Sequence, residues 1–273
     1  MSKDYSVSCA SCHKPAFGFA DTVAFSVGVG GKLTPRNTPS VLNMKNRPYF
    51  YWDGRAPTLQ AQALMPIAHP NEMNLPVDSA VKRLQASAYY NQKFVQVFGK
   101  RPSRQLLGEA LAAFEKTLET SGSKMDLAID DKAQLTESEE RGRKLFVGEK
   151  AKCFDCHFSP DFTGDEFRNI GLYNGKDLND VGRYAITKNK KDIGAFKVPG
   201  LRNVGLTAPY MHNGMFATLE EVVAFYNNPK QFVPNAINTD DLLKEPLELT
   251  AQEQTDLVAF LRTLTDKKGI ARY

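Results

Sequence analysis

All four cysteines of this 273-residue chain stand in two copies of one five-residue pattern, Cys9-Ala10-Ser11-Cys12-His13 and Cys153-Phe154-Asp155-Cys156-His157. Cys-x-x-Cys-His is the attachment signature of c-type haem, in which two thiols reach the vinyl groups on one porphyrin edge and the next residue swings its imidazole under the iron. Cys9, Cys12, Cys153 and Cys156 are therefore expected to anchor two covalent haems, with His13 and His157 as proximal iron ligands. A thioredoxin-like redox pair, a four-thiolate zinc site and ordinary disulfides compete for the same cysteines. None of them calls for a histidine directly after each pair.

The repeated motif sets the expected domain plan. Before the second copy, Thr136-Glu137-Ser138-Glu139 forms a capping box that opens a short helix carrying Leu145 and Phe146 toward Cys153. Only eight residues precede the first copy, so if the halves are related cytochrome domains, the first is expected to lack the N-terminal helix that should come before its haem. Met1 is accordingly expected to be an artificial or misassigned start, with a longer precursor and a secretory signal behind it. Covalent haem attachment accompanies export, which makes the expected location periplasmic.

Between the motifs the pattern is helical. Asp78 or Ser79 is expected to cap one helix with Val81, Leu84, Tyr90, Phe94, Val97 and Phe98 roughly on one face, ending at Gly99. Ser103 opens another with Leu107, Ala110, Leu111, Phe114 and Leu118, ending near Gly122. Thr218 with Glu221 and Thr250 with Glu253 are further capping boxes, and Leu257, Leu261 and Leu264 stripe the last helix. Strand alternation is nearly absent, and long loops near 28–57 and 171–200 are of a kind that carries function or wraps a cofactor. The expected fold is mainly α: two cytochrome c-like haem domains with long loops, 1–124 and 125–273.

Charge and hydropathy exclude other classes. With 42% hydrophobic and 24% charged residues the composition is that of a folded globular chain. The longest apolar runs, such as that around Leu219 to Tyr226, are too short for a membrane span. A net charge of +4, scattered along the chain, leaves no nucleic-acid footprint, and the cluster Lys188, Lys190 and Lys191 reads as a solvated loop.

Five loop motifs add a resemblance. They are Arg36-Asn37-Thr38-Pro39-Ser40-Val41-Leu42-Asn43, Trp52-Asp53-Gly54-Arg55-Ala56, Gln62 through Pro66 to Glu72-Met73, Val198-Pro199-Gly200-Leu201-Arg202-Asn203, and Ala208-Pro209-Tyr210-Met211-His212-Asn213-Gly214. In this order around two haem motifs, the chain resembles the dihaem cytochrome c peroxidase and MauG superfamily from Ser8 to about Leu264. The resemblance implies that the N-terminal haem reduces hydrogen peroxide and the C-terminal haem relays electrons to it. His13 would then hold the peroxidatic iron, with Gln62, Glu72 and Pro66 on the distal side. Splitting an O–O bond requires a proton moved between its oxygens, a task for a carboxylate. Outside this motif, Glu72 would read as a surface acid. Trp52, the only tryptophan, would lie between the haems and assist electron transfer, where core packing is its bland alternative. His212 would be a structural hydrogen-bonding residue near a haem, and His69 a loop histidine.

Two positions depart from the better-known peroxidase branch. Where that branch blocks the peroxidatic iron with a second histidine, Val29 stands, which implies an open first iron. Where it supplies a methionine to the second iron, Tyr226 stands, as in the MauG branch. An anionic oxygen ligand lowers the haem potential relative to a thioether. Met211 and Met215 are rival ligands, and a core tyrosine is the bland reading. The resemblance further implies calcium held by the Asn37 side chain and the carbonyls of Thr207 and Pro209, oxygen donors that suit a hard cation; Asn37 could equally be a turn residue.

Three functions follow. The leading one is reduction of hydrogen peroxide to water with electrons from a small cytochrome c or cupredoxin. The second is MauG-like oxidation of residues on a partner protein, and the third a non-catalytic electron carrier, which Gln62 and Glu72 disfavour. A homodimer is compatible with each.

Overall fold

Helix starts follow the capping chemistry. In the computed structural model, which describes residues 1–271, the side chains of Thr58, Ser103, Thr136, Thr218 and Thr250 each accept a backbone N–H of the turn they open. The first half holds α1 (Leu59–Ala68), α2 (Val77–Ala86), α3 (Ala88–Phe98) and α4 (Arg104–Glu115). Then come α5 (Lys124–Ile129) and α6 (Glu137–Val147), which precede the second Cys-x-x-Cys-His. After it follow α7 (Tyr184–Thr187), α8 (Leu219–Asn227), α9 (Pro229–Phe232), α10 (Ala251–Thr263) and α11 (Lys267–Ile270). The only ladder among the described residues pairs β1 (Phe167–Arg168) antiparallel with β2 (Phe196–Lys197), Phe167 facing Lys197.

Two helix expectations need correction. The single helix expected from Asp78 or Ser79 to Gly99 is two, starting instead after Pro76. Ser87 sits in extended backbone, ends α2, and accepts Tyr90 N–H to open α3; its short hydroxyl side chain competes with helix continuation. Helix α4 stops at Glu115, well short of Gly122. No helix precedes Cys9 among the described residues. There Lys3 N donates to Met73 O at 2.8 Å, and the Arg83 guanidinium holds the carbonyls of Ser2 and Lys3.

The cores fall on either side of the α4–α5 connection. Ile67, Ala80, Leu84, Phe94 and Leu107 close the first around α1, α2 and α4. In the second, α6 crosses α10 and buries Phe146, Leu257, Phe260, Leu261 and Leu264. That crossing is tight, since a Cβ on Gly142 would lie 1.9 Å from Asp256 O. Ser138 and Arg141 of α6 bond the buried Asp256 carboxylate at 2.6 and 2.7 Å, and the Arg141 contact holds its pKa down to about 2. The halves are joined by Arg36, which spans Asp53 (2.6 Å) and Asp180 (2.7 Å), by Arg47 on Asp161 and Asp165, and by Ile270 packed with Phe19, Leu42 and Leu118.

Candidate active site

The two motifs fold alike. Cys9–Ser11 and Cys153–Asp155 each form a single tight turn, and the N–H of His13 and of His157 donates to the carbonyl of Cys9 and Cys153, both at 2.9 Å. Nδ1 of His13 lies 2.9 Å from Phe19 O, and Nδ1 of His157 lies 2.9 Å from Phe162 O. A ring that donates Nδ1–H to a carbonyl keeps the lone pair of Nε2 for a metal. Burial favours the neutral ring in both, lowering His13 and bringing His157 to about 4. Phe19 and Phe162 both adopt left-handed backbone, φ 57° and 55°. That matched turn aims each carbonyl back at its histidine, and nothing in the sequence around either phenylalanine marks it.

Both histidines open into one cavity of about 910 Å³, whose wall also carries Cys12, Cys153 and Cys156. All four cysteines are unpaired, and no three acidic, His or Cys side chains among the described residues group as metal ligands. Gln62 Oε1 is buried at this wall without a partner. On the opposite half, the Tyr226 phenol lines the cavity, and burial raises its pKa. Two free thiols in each motif, imidazoles whose Nδ1 is engaged by a carbonyl, and unsatisfied polar atoms facing a large apolar space fit c-type haem at both motifs.

One wall is built by α1. Leu59, Gln62, Pro66 and His69 recur at helical spacing and all face the cavity. Pro66 has no N–H to give Gln62 O, and the Tyr51 hydroxyl donates to that carbonyl instead, at 3.2 Å. Glu72 arrives from the turn beyond α1, its N–H on His69 O at 3.0 Å. A neighbouring loop clasps that turn. Val29 N donates to Glu72 O at 2.8 Å, and a Cβ on Gly28 would meet Asn71 O at 2.0 Å. The Glu72 carboxyl faces the cavity, where burial raises its pKa against the opposing pull of His69 and Arg55.

Several sequence expectations change in detail. Val29 packs in the core with Ile67 and Met73 rather than on the cavity wall. His69 is more than a loop histidine, since its Nδ1 lies 3.3 Å from Glu72 Oε1. His212, expected as a hydrogen-bonding residue, uses its backbone carbonyl for that, accepting Asn37 N–H at 2.7 Å; its ring stacks on Phe196 at 3.7 Å. Trp52 meets the His212 ring edge-on at 6.5 Å and donates Nε1–H to Asn37 O at 2.9 Å. Met211 shares the cavity with Tyr226, whereas Met215 is 40% exposed and off its wall. Asn37, Thr207 and Pro209 all reach the cavity. Sequence reasoning missed Glu115 at the end of α4: its Oε2 is buried without a partner, and burial raises its pKa to about 7.

The sequence profile described as di-haem cytochrome c peroxidase matches residues 1–134, and that of cytochrome c matches 139–265. The chain is 39% identical over 267 residues to the methylamine utilization protein MauG of Methylorubrum extorquens, spanning 97% of this chain and 74% of that protein. It is 36% identical to a cytochrome c551 peroxidase of Nitrosomonas europaea, spanning 97% and 76%. The crystal structure of a MauG-like protein associated with microbial copper homeostasis superposes with a TM-score of 0.90 at 34% identity, over 98% of this chain and 86% of that one. A haem motif in each half, one cavity between them and these relationships together place the chain in the di-haem cytochrome c peroxidase family, alongside MauG.

Proposed function

We propose that this enzyme reduces hydrogen peroxide to water with electrons from a small cytochrome c or cupredoxin, passed from the C-terminal haem site to the N-terminal one. The observation that carries this is the single cavity on which His13, Gln62 and Glu72 meet His157 and Tyr226. The haems, when bound, supply the redox chemistry. The protein handles geometry and protons. Glu72 takes a proton from one peroxide oxygen and gives it to the other, so that the O–O bond breaks with water leaving. Its raised pKa suits both halves of that transfer. Gln62 offers its unpaired Oε1 as a hydrogen-bond acceptor beside it, and Pro66 narrows the approach. Two electrons and two further protons complete the conversion to two waters.

Trp52, edge-on to His212 with Phe196 stacked beyond, forms an aromatic row between a loop of the first half and loops of the second, and we assign it the electron path. Tyr226 is assigned as the residue that would hold the second iron alongside His157, where an anionic oxygen would lower the potential, and His212 as packing against the haem environment. Asn37 with the carbonyls of Thr207 and Pro209 is assigned to calcium, which would fix the same loops. We place the domain division at 1–124 and 125–273, as the separate cores suggest, and the protein in the periplasm, consistent with covalent haem. No helix among the described residues is long and apolar enough to cross a membrane.

Tyr226 on the cavity wall supports a second reading, oxidation of residues on a partner protein as in MauG. The two separate in one experiment. Fully oxidised, haem-loaded protein is mixed with peroxide, first with a reduced small cytochrome and then with candidate partner proteins followed by mass spectrometry. Oxidation of the cytochrome supports the peroxidase, modification of a partner supports the second reading, and no reaction with peroxide refutes both.

A further inference from the structure

A second cavity of about 520 Å³ lies behind the Glu72 wall, and Tyr51, Arg55, His69 and Glu72 line both it and the haem cavity. We propose that His69 is the outer member of a proton relay that reloads Glu72 from solvent through this second cavity. The inference rests on the peroxidase reading and adds to it a residue and a route.

The shuttle between the two peroxide oxygens leaves Glu72 as it began, but each turnover consumes two further protons, and a route from solvent to Glu72 must supply them. The titratable groups facing the outer cavity are Tyr51, Arg55, His69, Glu72 and Arg104. The guanidiniums of Arg55 and Arg104 do not release protons near neutral pH. Burial pushes the Tyr51 phenol up, out of that range, and its hydroxyl is engaged by Gln62 O. His69 alone offers a ring that can take a proton at one nitrogen and give one from the other. Its side chain is 33% exposed against 22% for Glu72, so the imidazole stands on the wetter side of the pair.

The local geometry accommodates both protonation states of the ring. Nδ1 of His69 has two partners at 3.3 Å, Glu72 Oε1 and the N–H of Asn71. With a proton on Nδ1 the ring donates to the carboxylate; without one it accepts from Asn71. Neither state leaves the nitrogen stranded, which is what a group that gains and loses a proton there requires. The position is also fixed. His69 caps α1 through its N–H on Met65 O, and its own carbonyl receives the N–H groups of Glu72 and Asn74, all at 3.0 Å. In the relay, Nε2 takes a proton from hydronium or a buffer acid in the outer cavity while Nδ1–H passes to Glu72 Oε1. Once Glu72 has passed that proton on, the ring returns to its starting tautomer by giving the Nε2 proton to water and taking one from water at Nδ1, so that one proton has moved from solvent to Glu72. No electrons move.

The test uses the haem-loaded enzyme and the variant His69→Gln, which keeps a polar side chain but cannot titrate, with His69→Asn as a second variant should the first misfold. Visible spectra and haem content establish that either is intact. At low buffer the rate of reaction with peroxide should fall about tenfold or more. In the variant alone, it should climb with phosphate concentration as buffer replaces the relay. A readout independent of turnover is the infrared band of the protonated Glu72 carboxyl in the resting enzyme, assigned by its absence in Glu72→Gln. Its pH midpoint should move up when His69 is replaced, because the imidazolium favours the carboxylate. A variant with the wild-type rate at low buffer, or a slowed one indifferent to buffer, overturns the relay. Wild type that carries both haems yet ignores peroxide overturns the peroxidase reading itself, a distinguishable result.

Discussion

Glu72→Gln separates proton transfer from every other role of this side chain. Glutamine matches the carboxyl in size and can still contact His69 Nδ1, which lies 3.3 Å away. It cannot take up a proton. Removing one positioned acid–base group costs about 100-fold or more in rate, which is about 2.7 kcal/mol on the barrier at 1.36 kcal/mol per tenfold. Stability should move the other way. Burial raises the folded-state pKa of Glu72, so the stability this residue confers is complete below its unfolded pKa and is lost as pH rises through the folded value. The variant should therefore be as stable as wild type near pH 4 and no less stable at pH 7. Stopped-flow mixing with peroxide measures the rate, and thermal melts at the two pH values measure the stability. An undiminished rate removes Glu72 from the chemistry. A slow variant that has also lost haem or melts early at pH 7 shows the residue to be structural.

Glu115→Gln should stabilise the protein increasingly from about pH 4.5 up to the raised pKa of about 7, and no further above it, because burial leaves one carboxyl oxygen unpaired; equal melting temperatures at pH 5 and 8, relative to wild type, would contradict this. Gly142→Ala places a methyl group 1.9 Å from Asp256 O at the α6–α10 crossing and should cost about 3 kcal/mol, read by denaturant unfolding of the haem-loaded protein. Tyr226→Met should raise the potential of the second haem and Tyr226→Phe should leave its spectrum five-coordinate or altered, since a thioether favours the reduced iron more than an anionic oxygen does; redox titration with no change in either variant removes Tyr226 as a ligand.

Much of this architecture is written in local chemistry that a sequence displays. The capping boxes at Thr136, Thr218 and Thr250 open helices in the structure because each needs only a hydroxyl and a carboxyl three residues apart. The haem motifs are equally self-contained, a turn of five residues. Features that depend on long-range packing were hidden. The left-handed Phe19 and Phe162 carry no glycine to announce them, and their carbonyls matter only because a histidine folds back beneath them. Val29 reads as a gap in a ligand set, yet the structure uses it as core and as a backbone clasp on Glu72. Glu115 acquires its surroundings from elements far apart in the chain, so spacing alone could not reveal it; His69 and Glu72 are three residues apart, but only the fold turns both toward one cavity. Ser87 divided a helix that apolar periodicity had joined, since periodicity records faces and is blind to a side chain that competes for the backbone.

The central claim is that two c-type haem sites and Glu72 work on one cavity as a peroxidase, and electron stoichiometry tests it most directly. Protein matured with both haems covalently attached is supplied with a reduced small c-type cytochrome and limiting hydrogen peroxide, and the oxidised donor is counted. Two donor molecules oxidised for each peroxide consumed is the result expected of this account. Peroxide left unreacted, or consumed without donor oxidation, in protein whose mass confirms both haems would contradict it.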